Sequence, residues 1–463
     1  MAETKHFDAL VIGSGEGGKY LAWHLARSGQ HTAVVERRWV GGSCPNVNCL
    51  PSKNEIWSSH VVSLIRKAGH YGVSTGPVTI DMERVRARKR AMVDGLIAMH
   101  IEQFRSSGAG LIMGQARLVE DRKVEVSLNE GGTVTLTADK LFLNLGTRAA
   151  IPDVPGLADS IPLTHIEALE LDRVPNHLLV LGGGYVGLEL AQAFRRFGAE
   201  VTILEHGSQL ASREDGEVAG ALLNMIRDEG VKVHFGVRLR EVTGRSGESV
   251  TVLADTPSGI LTLTASDILV AAGRIPNTAG IGLEEAGVEL TERGFIAVNE
   301  RLETTAHNIW AIGEVAGSPQ FTHVSFDDYR IIRDNLAGGD RSTRNRLIPY
   351  VMFTEPALAR VGLSEGEAAR MGIIVRTATM PIEMVLRSRT MSETQGFMKA
   401  VVAGDSDRIL GFTMLGAEAG EVMAVVQTAM LADMSYAVLR DAIIAHPTMA
   451  EGLNGLLARI PAR

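Results

Sequence analysis

Residues 7–18 read Phe-Asp-Ala-Leu-Val-Ile-Gly-Ser-Gly-Glu-Gly-Gly, a short apolar run followed by closely spaced glycines. An apolar pattern at helical spacing continues through Trp23, Leu25 and Ala26. The order strand, glycine turn, helix is typical of a dinucleotide-binding unit, because the glycines let the backbone approach a pyrophosphate while the helix N-terminus supplies free amides. A second predicted strand, residues 31–36, ends in Glu36, a carboxylate suited to a ribose hydroxyl.

The same pattern recurs in the middle of the chain. Residues 178–181, Leu-Leu-Val-Leu, precede Gly182-Gly-Gly-Tyr-Val-Gly187, a predicted helix over 188–197 and a predicted strand over 201–205. The first glycine and the strand-ending glutamate are 23 positions apart in both copies, from Gly13 to Glu36 and from Gly182 to Glu205. Two dinucleotide sites in one chain predict two cofactors.

Composition places the chain among α/β proteins of several domains. Its 463 residues, 45% hydrophobic and 22% charged with 50 glycines, suit roughly three domains. The N-terminus resembles no signal or transit peptide, and no apolar run approaches the ~18 residues of a membrane span, so we expect a cytoplasmic protein without membrane contact. A net charge of −8 argues against nucleic-acid binding, and the basic run 84–90 is expected to be a solvated helix face.

The only two cysteines, Cys44 and Cys49, lie in residues 41–53, Gly-Gly-Ser-Cys-Pro-Asn-Val-Asn-Cys-Leu-Pro-Ser-Lys. Two thiols so close together, in a chain expected in a reducing compartment, suggest a redox couple rather than a static crosslink. On a regular helix, residues five apart lie roughly 8 to 9 Å apart between Cα atoms, beyond the ~7 Å limit for a disulfide. If these cysteines bond, the helix between them must be interrupted, and Pro45 fits that requirement.

These features together resemble the FAD-dependent pyridine nucleotide–disulfide oxidoreductases, the family of dihydrolipoamide dehydrogenase, glutathione reductase and mercuric reductase. The resemblance covers essentially the whole chain. It implies an α/β fold with two Rossmann-like dinucleotide-binding domains and an α+β C-terminal dimerisation domain. The expected domains are FAD-binding over 1–152 and 274–345, NAD(P)-binding over 153–273, and dimerisation over 346–463.

The resemblance also assigns cofactor-binding residues. Segments 141–147, 271–277 and 308–314 resemble the strand returning from the FAD domain, the crossing out of the NAD domain and the second FAD signature. Glu314 stands where that signature usually has aspartate, so it keeps the acceptor and adds one methylene. The residues expected to contact FAD are Gly13, Gly15, Gly18, Glu36, Gly42, Ser43, Lys53, Gly146, Thr147, Gly313 and Glu314. Those expected to contact the nicotinamide dinucleotide are Gly182, Gly184, Tyr185, Gly187, Glu205, Gly273 and Arg274.

Within the cysteine stretch, the resemblance implies that Cys44 exchanges with substrate and Cys49 faces the flavin. Lys53 matches the family lysine beside flavin N5, and its expected ion-pair partner is Glu189. Near the C-terminus, His446 and Glu451 match the acid–base motif H-P-T-x-x-E. In that family the histidine is supplied across a homodimer to the partner's cysteines, which would make a monomer inactive.

Two features bear on the nicotinamide cofactor. Glu205 ends the second strand and no arginine follows until Arg213, so NADH is favoured over NADPH, because a carboxylate binds a free ribose hydroxyl and repels a 2′-phosphate. Tyr185 resembles the residue that covers the empty nicotinamide pocket, although packing at a helix start would also explain it.

The electron acceptor stays open among three classes. A small disulfide or dithiol, as in dihydrolipoamide dehydrogenase, is favoured by His446 and Glu451, because thiol exchange needs acid–base help. The C-terminal segments 418–421 and 449–453 resemble mercuric reductase, but no terminal cysteine pair follows, and no resident metal is expected. Segment 320–330 resembles bacterial flavoproteins that defend against reactive chlorine and hypothiocyanite, which would make the acceptor a small inorganic electrophile.

Departures from the commonest family sequence argue against assuming a lipoamide or glutathione substrate. Pro45 and Asn48 replace a small apolar residue and a glycine, and asparagine suits a positive φ at the second position. A non-enzymatic scaffold flavoprotein is the remaining alternative. The intact set of Cys44, Cys49, His446 and Glu451 argues against it.

Overall fold

The computed structural model describes residues 4–463. The first third of the chain begins with a strand–helix–strand unit, continues with three helices between the second and third strands, and ends in consecutive strands. These elements are β1 (Thr4–Ile12), α1 (Glu16–Arg27), β2 (Thr32–Glu36), α2 (Ser43–Asn46), α3 (Cys49–Lys67), α4 (Met82–Ser107), β3 (Gly110–Glu120), β4 (Lys123–Leu128), β5 (Thr133–Leu143) and β6 (Thr147–Ala149).

The middle of the chain repeats the alternation and then adds a group of consecutive strands. Its elements are α5 (His165–Ala168), β7 (His177–Leu181), α6 (Tyr185–Phe197), β8 (Glu200–Leu204), α7 (Gly216–Asp228), β9 (Lys232–His234), β10 (Arg238–Arg245), β11 (Ser249–Thr256), β12 (Gly259–Ala265), β13 (Asp267–Val270) and β14 (Arg274–Pro276).

The last third mixes short helices with antiparallel strands. Its elements are β15 (Ile309–Ala311), α8 (Thr322–Leu336), β16 (Tyr350–Met352), β17 (Ala357–Gly362), α9 (Glu365–Arg370), β18 (Val375–Pro381), α10 (Leu386–Met391), β19 (Phe397–Ala403), β20 (Ile409–Gly416), α11 (Ala419–Leu431), α12 (Tyr436–Arg440) and α13 (Gly452–Leu457). Over residues 4–463 as a whole, single turns of 3₁₀ helix occur at Ala68–Tyr71, Glu284–Ala286, Gly313–Ala316 and Ile382–Met384.

The first sheet has a parallel part and an antiparallel part. β3, β2, β1, β5 and β15 lie side by side in parallel, the order of a doubly wound dinucleotide-binding sheet. The C-terminal half of β3 and the N-terminal half of β5 pair with β4 in an antiparallel meander. Side chains alternate along β1, so Leu10 and Ile12 pack in one core and Ala9 and Val11 pack in another beneath α1 and α8.

The second and third sheets are separate from the first. β13, β7, β8 and β9 form a four-stranded parallel sheet, and β10, β11 and β12 form an antiparallel sheet beside it. The C-terminal sheet is antiparallel in the order β16, β17, β20, β19, β18, and its core packs against α11, α12 and α13. β6 and β14 pair with each other and join the two dinucleotide-type regions.

The basic run 84–90 lies in α4 but is not entirely a solvated face, so that expectation is wrong at one position. The side chain of Lys89 is 1% exposed, and its Nζ lies 2.7 Å from Glu170 Oε1. A buried ammonium requires such a partner, whereas the neighbouring Arg88 and Arg90 stay exposed. None of the helices among the described residues combines the length and apolar character that crossing a bilayer requires.

Candidate active site

The two cysteines lie on either side of a break between helices. α2 ends at Asn46 and α3 begins at Cys49, which leaves Val47 and Asn48 outside both helices. The expected interruption between Cys44 and Cys49 is therefore confirmed.

The expectation of a positive φ at Asn48 is wrong, since its φ is −133°. Gly41 and Gly42 take the left-handed conformations in this loop instead, at φ 92° and 79°. Gly42 also packs tightly, because a Cβ built there would lie 2.5 Å from the Cα of Gly15. The cysteine loop therefore rests directly on the first glycine turn, where the sequence predicts FAD.

Both cysteines are free thiols in this structure. The neighbouring Cys44 thiol, as a potential donor, lowers the pKa of Cys49 to about 6; burial opposes the shift, and the Thr322 hydroxyl and the Lys53 ammonium support it. The neighbouring Cys49 and burial raise the pKa of Cys44. Near neutral pH the reduced pair therefore keeps its proton on Cys44 and a thiolate on Cys49.

The hydroxyl that supports the Cys49 thiolate comes from a distant part of the chain. Thr322 Oγ1 lies 3.1 Å from Cys49 Sγ. Thr322 is the first residue of the 15-residue helix α8, whose N-terminus carries a partial positive charge. The hydrogen bond and the helix dipole both favour a negative charge on Cys49.

Lys53 and Glu189 form an ion pair between α3 and α6. Lys53 Nζ lies 2.7 Å from Glu189 Oε2, and their side chains are 31% and 7% exposed. Glu189 Oε1 accepts a hydrogen bond of 2.8 Å from the backbone N–H of Phe353, whose ring lies 4.8 Å from Lys53 Nζ. These contacts fix the Lys53 ammonium where α3, α6 and the segment at Phe353 meet. Lys53 follows Cys49 by four residues on α3.

His446 and Glu451 pair with each other between α12 and α13. His446 Nδ1 lies 3.0 Å from both carboxylate oxygens of Glu451, and the histidine side chain is 60% exposed. Within residues 4–463, neither side chain hydrogen-bonds to Cys44 or Cys49. The carboxylate fixes the ring orientation and leaves Nε2 directed away from the pair.

The two glycine turns hold their glutamates in the same way. Glu36 Oε2 accepts from Ser14 N at 2.9 Å, and Glu205 Oε2 accepts from Gly183 N at 2.6 Å. In both copies the donor is the residue after the first glycine. The other oxygen, Oε1, accepts from the backbone two positions on, at Arg38 in the first copy and Gly207 in the second. The 23-residue spacing thus corresponds to a repeated hydrogen-bonding arrangement.

Close packing explains the third glycine in each turn. A Cβ at Gly18 would lie 2.5 Å from the carbonyl oxygen of Gly13, and one at Gly187 would lie 2.1 Å from that of Gly182. Any larger residue would push the helix off the turn.

Thr147, Arg274 and Glu314 converge near the crossing strands β6 and β14. Arg274 Nε donates to Thr147 Oγ1 at 2.7 Å and lies 3.4 Å from Glu314 Oε2. Thr147 Oγ1 also donates to Glu314 Oε2. The longer side chain of Glu314 therefore reaches a threonine and an arginine on the opposite connection. Gly146 and Gly313 adjoin this group at φ 64° and 75°.

Tyr185 hydrogen-bonds to a residue that sequence reasoning missed. Tyr185 Oη donates to Glu214 Oε1 at 2.6 Å, and Tyr350 Oη donates to the same oxygen at 2.7 Å. Glu214 lies before α7, and Tyr350 lies in the C-terminal sheet. Thr322 lies in segment 320–330, but the resemblance of that segment gave no contact with Cys49. The signal for Glu214 was the charge run Arg213-Glu214-Asp215, which follows the second dinucleotide unit after seven residues.

The two glycine turns differ in what their helices leave open. α6 begins after Gly184, which provides no side-chain cap, so its first amides point out of the helix. In α1 the N–H groups of Gly17 and Gly18 already donate to Ser325 Oγ at 3.2 Å and Asn144 Oδ1 at 3.1 Å. A Cβ at Gly184, Gly146 or Gly273 would meet no atom within 4 Å, so open space adjoins the second turn and the crossing strands. Ser43 begins α2 beside the first turn.

Comparison with known proteins gives one consistent result over the whole chain. Residues 7–328 match the family model for pyridine nucleotide-disulphide oxidoreductase, and residues 348–456 match the dimerisation domain of that family. RclA of Escherichia coli (strain K12), a probable pyridine nucleotide-disulfide oxidoreductase, is 35% identical over 460 residues, which cover 98% of this chain and 99% of RclA.

Other relatives differ in the reactions that their names describe. Mercuric reductase of Streptomyces lividans is 35% identical over 97% of this chain and 95% of its own length. Dihydrolipoyl dehydrogenase of Bacillus subtilis (strain 168) is 31% identical over 96% of this chain and 94% of its own length. The solved Cu(II) complex of the HOCl-induced flavoprotein disulfide reductase RclA superposes with a TM-score of 0.89 at 34% identity, covering 98% of this chain and 99% of RclA.

These matches confirm the expected fold class, including the dimerisation domain, and the dependence of the family on FAD and a pyridine nucleotide. The match to the dimerisation domain also indicates a homodimer. The chain therefore belongs to the pyridine nucleotide-disulphide oxidoreductase family and is a flavin-dependent oxidoreductase with a disulfide redox centre.

Proposed function

We propose that this enzyme uses NADH to reduce a small disulfide, with Cys44 as the thiol that meets the substrate. The overall reaction would convert NADH, a proton and a disulfide into NAD⁺ and two thiols. The observation that carries the proposal is the His446–Glu451 pair, since a carboxylate-oriented imidazole serves thiol–disulfide exchange by moving protons.

Cys44 and Cys49 would have different roles in this reaction. Bound FAD would supply two-electron transfer between the nicotinamide and the Cys44–Cys49 disulfide. After reduction, Cys49 holds the thiolate and Cys44 holds the proton, so Cys44 must lose that proton before it attacks a substrate sulfur. His446 would accept the proton and return it to the departing thiol. Lys53, held by Glu189, keeps a positive charge beside the flavin position and Cys49.

His446 of the partner subunit would complete the site. Its exposed ring and the absence of a hydrogen bond to either cysteine within residues 4–463 support placement across a dimer. The active site would then form only in the homodimer.

NADH is the proposed nicotinamide cofactor. Two backbone amides fix the Glu205 carboxylate at the end of β8, where the adenosine ribose of a dinucleotide lies in this type of unit. A fixed negative charge accepts a hydrogen bond from a 2′-hydroxyl and repels a 2′-phosphate.

The domain boundaries are proposed as 1–152 with 274–345, 153–273 and 346–463. The return of β15 to the first sheet, after the second sheet is complete, supports the split first domain.

A thiophilic metal ion or an inorganic oxidant is the second candidate acceptor. RclA has been solved as a Cu(II) complex and is described as HOCl-induced, and mercuric reductases match this chain over nearly its full length. Cys44 and Cys49 are the only cysteines in the sequence, so a metal ion reduced here would have to meet Cys44 directly.

An NADH-oxidation panel tests the two candidates. The FAD-loaded dimer is assayed with lipoamide, glutathione disulfide, Cu(II), Hg(II) and hypothiocyanite. Cys44→Ser should abolish turnover of the true acceptor and leave flavin reduction by NADH intact. Turnover of a metal ion with no turnover of any disulfide would overturn the first candidate in favour of the second. Unchanged acceptor turnover in Cys44→Ser would overturn both.

A further inference from the structure

Lys19 lies buried between α1 and α4. Its side chain is 3% exposed, and its Nζ lies 2.7 Å from Glu16 Oε2 and 3.1 Å from His100 Nε2. Burial and the Lys19 charge lower the pKa of His100 to about 4, so the imidazole is neutral and its Nε2 accepts from the ammonium. Of these two partners, Glu16 alone therefore balances the buried positive charge.

The other nitrogen of His100 packs against the cysteine loop. A Cβ built on Gly41 would lie 2.7 Å from His100 Nδ1 and 3.0 Å from Cγ of Pro45. Because Nε2 accepts, Nδ1 carries the proton, and among residues 4–463 this buried N–H has no hydrogen-bond partner. The imidazole thus fills the space between Lys19 and the loop that carries Cys44 without satisfying its own donor.

Glu16 and Cys44 lie at the starts of two helices that touch. α1 begins at Glu16, and α2 contains Cys44. The glycines before these helices are so close that a Cβ on Gly42 would lie 2.5 Å from the Cα of Gly15. Cys49 and burial raise the pKa of the Cys44 thiol most, and the Glu16 charge adds to that rise. The carboxylate and the substrate thiol are therefore electrostatic neighbours.

The carboxylate is the end of this ion pair that water reaches. The Glu16 side chain is 19% exposed, whereas that of Lys19 is 3% exposed. Tyr20 is also only partly buried, and its ring packs edge-on against Phe326 at 4.7 Å. Burial raises the pKa of the Tyr20 phenol, and the charges of Glu16 and Cys44 are among the groups that add to the rise. A substrate at Cys44 therefore lies near an accessible negative charge whose positive partner is covered.

We propose that Glu16 selects the acceptor at Cys44 by charge, so that small disulfides with ammonium groups near the sulfur are preferred over those with carboxylates. This inference rests on the proposed function and names its substrate class as disulfides of cationic aminothiols. An ammonium two carbons from the substrate sulfur is attracted by the Glu16 charge, and a carboxylate at the same position is repelled. The reaction itself is unchanged, since NADH, a proton and the disulfide still give NAD⁺ and two thiols.

Three disulfides of nearly equal length test the selection. Cystamine carries two positive charges, hydroxyethyl disulfide carries none, and dithiodipropionate carries two negative charges. Steady-state NADH oxidation by the FAD-loaded dimer gives kcat/KM for each. The neutral disulfide measures any general effect of a substitution on Cys44, so the charged disulfides are compared with it.

Glu16→Gln removes the charge and keeps an oxygen that can accept from Lys19. Relative to the neutral disulfide, kcat/KM should fall about fivefold for cystamine and rise about fivefold for dithiodipropionate. In the unmodified enzyme, high salt should reduce the difference between the two charged disulfides, because mobile ions screen the carboxylate. The same salt should change that difference little in Glu16→Gln.

Glu120→Gln is the matched control. Glu120 also pairs with a lysine three positions on, Lys123, but it lies in the antiparallel part of the first sheet and its side chain is 68% exposed. Its three kcat/KM values should equal those of the unmodified enzyme. The flavin absorbance of each variant checks that the FAD content is equal.

A glutamate in the first turn of a helix also suits the helix dipole, and a role limited to that would leave the charge preference unchanged. Turnover of all three disulfides, with no charge-dependent change in Glu16→Gln, would therefore overturn the inference about Glu16 and leave the proposed function standing. An equal shift in Glu120→Gln would also overturn it, since the effect would then belong to the net charge of the protein. Turnover of none of the three by the unmodified enzyme would overturn the proposed function as well.

Discussion

Thr322 Oγ1 lies 3.1 Å from Cys49 Sγ, although the two residues are 273 positions apart in the chain. The hydroxyl can donate to the sulfur and helps to lower the pKa of Cys49 to about 6, after the larger effect of the neighbouring Cys44 thiol. Thr322→Val keeps the shape and removes the donor. We expect the Cys49 pKa to rise by about one unit, which corresponds to one hydrogen bond to a charged group.

The measurement is a pH titration of the long-wavelength absorbance that a thiolate beside the flavin produces in the two-electron-reduced enzyme. Because Cys49 is a thiolate above its pKa, the absorbance should disappear as the pH falls through that value. The midpoint should move to higher pH in Thr322→Val and stay in place in Thr322→Ser. The same midpoint in Thr322→Val would show that the hydroxyl contributes nothing to the thiolate.

Substitutions of Lys53 and Glu189 should have coupled effects on the free energy of unfolding. Glu189 is almost fully buried and Lys53 is about one-third exposed, so either single change leaves a charge without its partner in a poorly solvated place. Glu189→Gln and Lys53→Met should each lower the free energy of unfolding by about 1–2 kcal/mol. The double variant should lose less than the sum, with a coupling of about 1 kcal/mol in urea unfolding of the FAD-loaded enzyme. A double variant that loses the full sum of the two single losses would contradict a direct interaction between Lys53 and Glu189.

Local patterns predicted much of the fold. The predicted strand 31–36 is β2 at Thr32–Glu36, and the predicted strand 201–205 is β8 at Glu200–Leu204. Glycine turns and apolar periodicity act over a few residues, so they can be recognised in one sequence. The repeated spacing from glycine to glutamate also corresponds to equivalent hydrogen bonds in both copies.

The remaining parts of the site depend on long-range packing. Tyr350 reaches Glu214 across 136 positions, and Thr322 reaches Cys49 across 273. Neither contact leaves a local pattern, because the two partners lie in elements far apart in the chain. The Asn48 prediction was wrong for a local reason, because Gly41 and Gly42 already provide the residues with positive φ in this loop.

His446→Ala distinguishes the two classes of acceptor. Proton transfer by a positioned imidazole typically contributes 10²–10⁴-fold, so turnover of a disulfide should fall by about 100-fold or more. Reduction of a metal ion releases no thiol that needs a proton, so Cu(II) or Hg(II) turnover should fall by less than ~tenfold. Steady-state NADH oxidation measures both. Glu451→Gln should show the same selectivity with a smaller loss, because it disturbs the orientation of the ring and leaves the base in place.

Glu205→Gln should weaken the proposed preference for NADH. The amide keeps the shape but loses the charge that repels a 2′-phosphate, so the ratio of kcat/KM for NADH to that for NADPH should fall about tenfold, which corresponds to roughly 1.4 kcal/mol. Glu200→Gln is the matched control, since Glu200 begins β8, the strand that Glu205 directly follows, but is exposed and paired with Lys232. A higher kcat/KM for NADPH in the unmodified enzyme would contradict the assignment of Glu205 itself.

Glu55 should make the stability of the enzyme depend on pH. Burial raises the pKa of this α3 carboxyl to about 7 from its ordinary 4.5; Lys89 opposes the shift and Glu170 adds to it. Among residues 4–463, Glu55 Oε1 has no hydrogen-bond partner. Between pH 4.5 and 7 the folded protein therefore holds a proton that the unfolded chain has released.

A proton held only by the folded state stabilises it, so this contribution is complete below pH 4.5 and disappears as the pH rises through 7. The loss over that window should be about 3 kcal/mol, since one pKa unit corresponds to about 1.4 kcal/mol. Glu55→Gln carries no titrating proton, so its stability relative to the unmodified enzyme should increase by that amount between pH 5 and pH 8 in urea unfolding. Parallel pH profiles for the two proteins would mean that Glu55 is ionised throughout this range and that Lys89, shared with Glu170, compensates its buried charge.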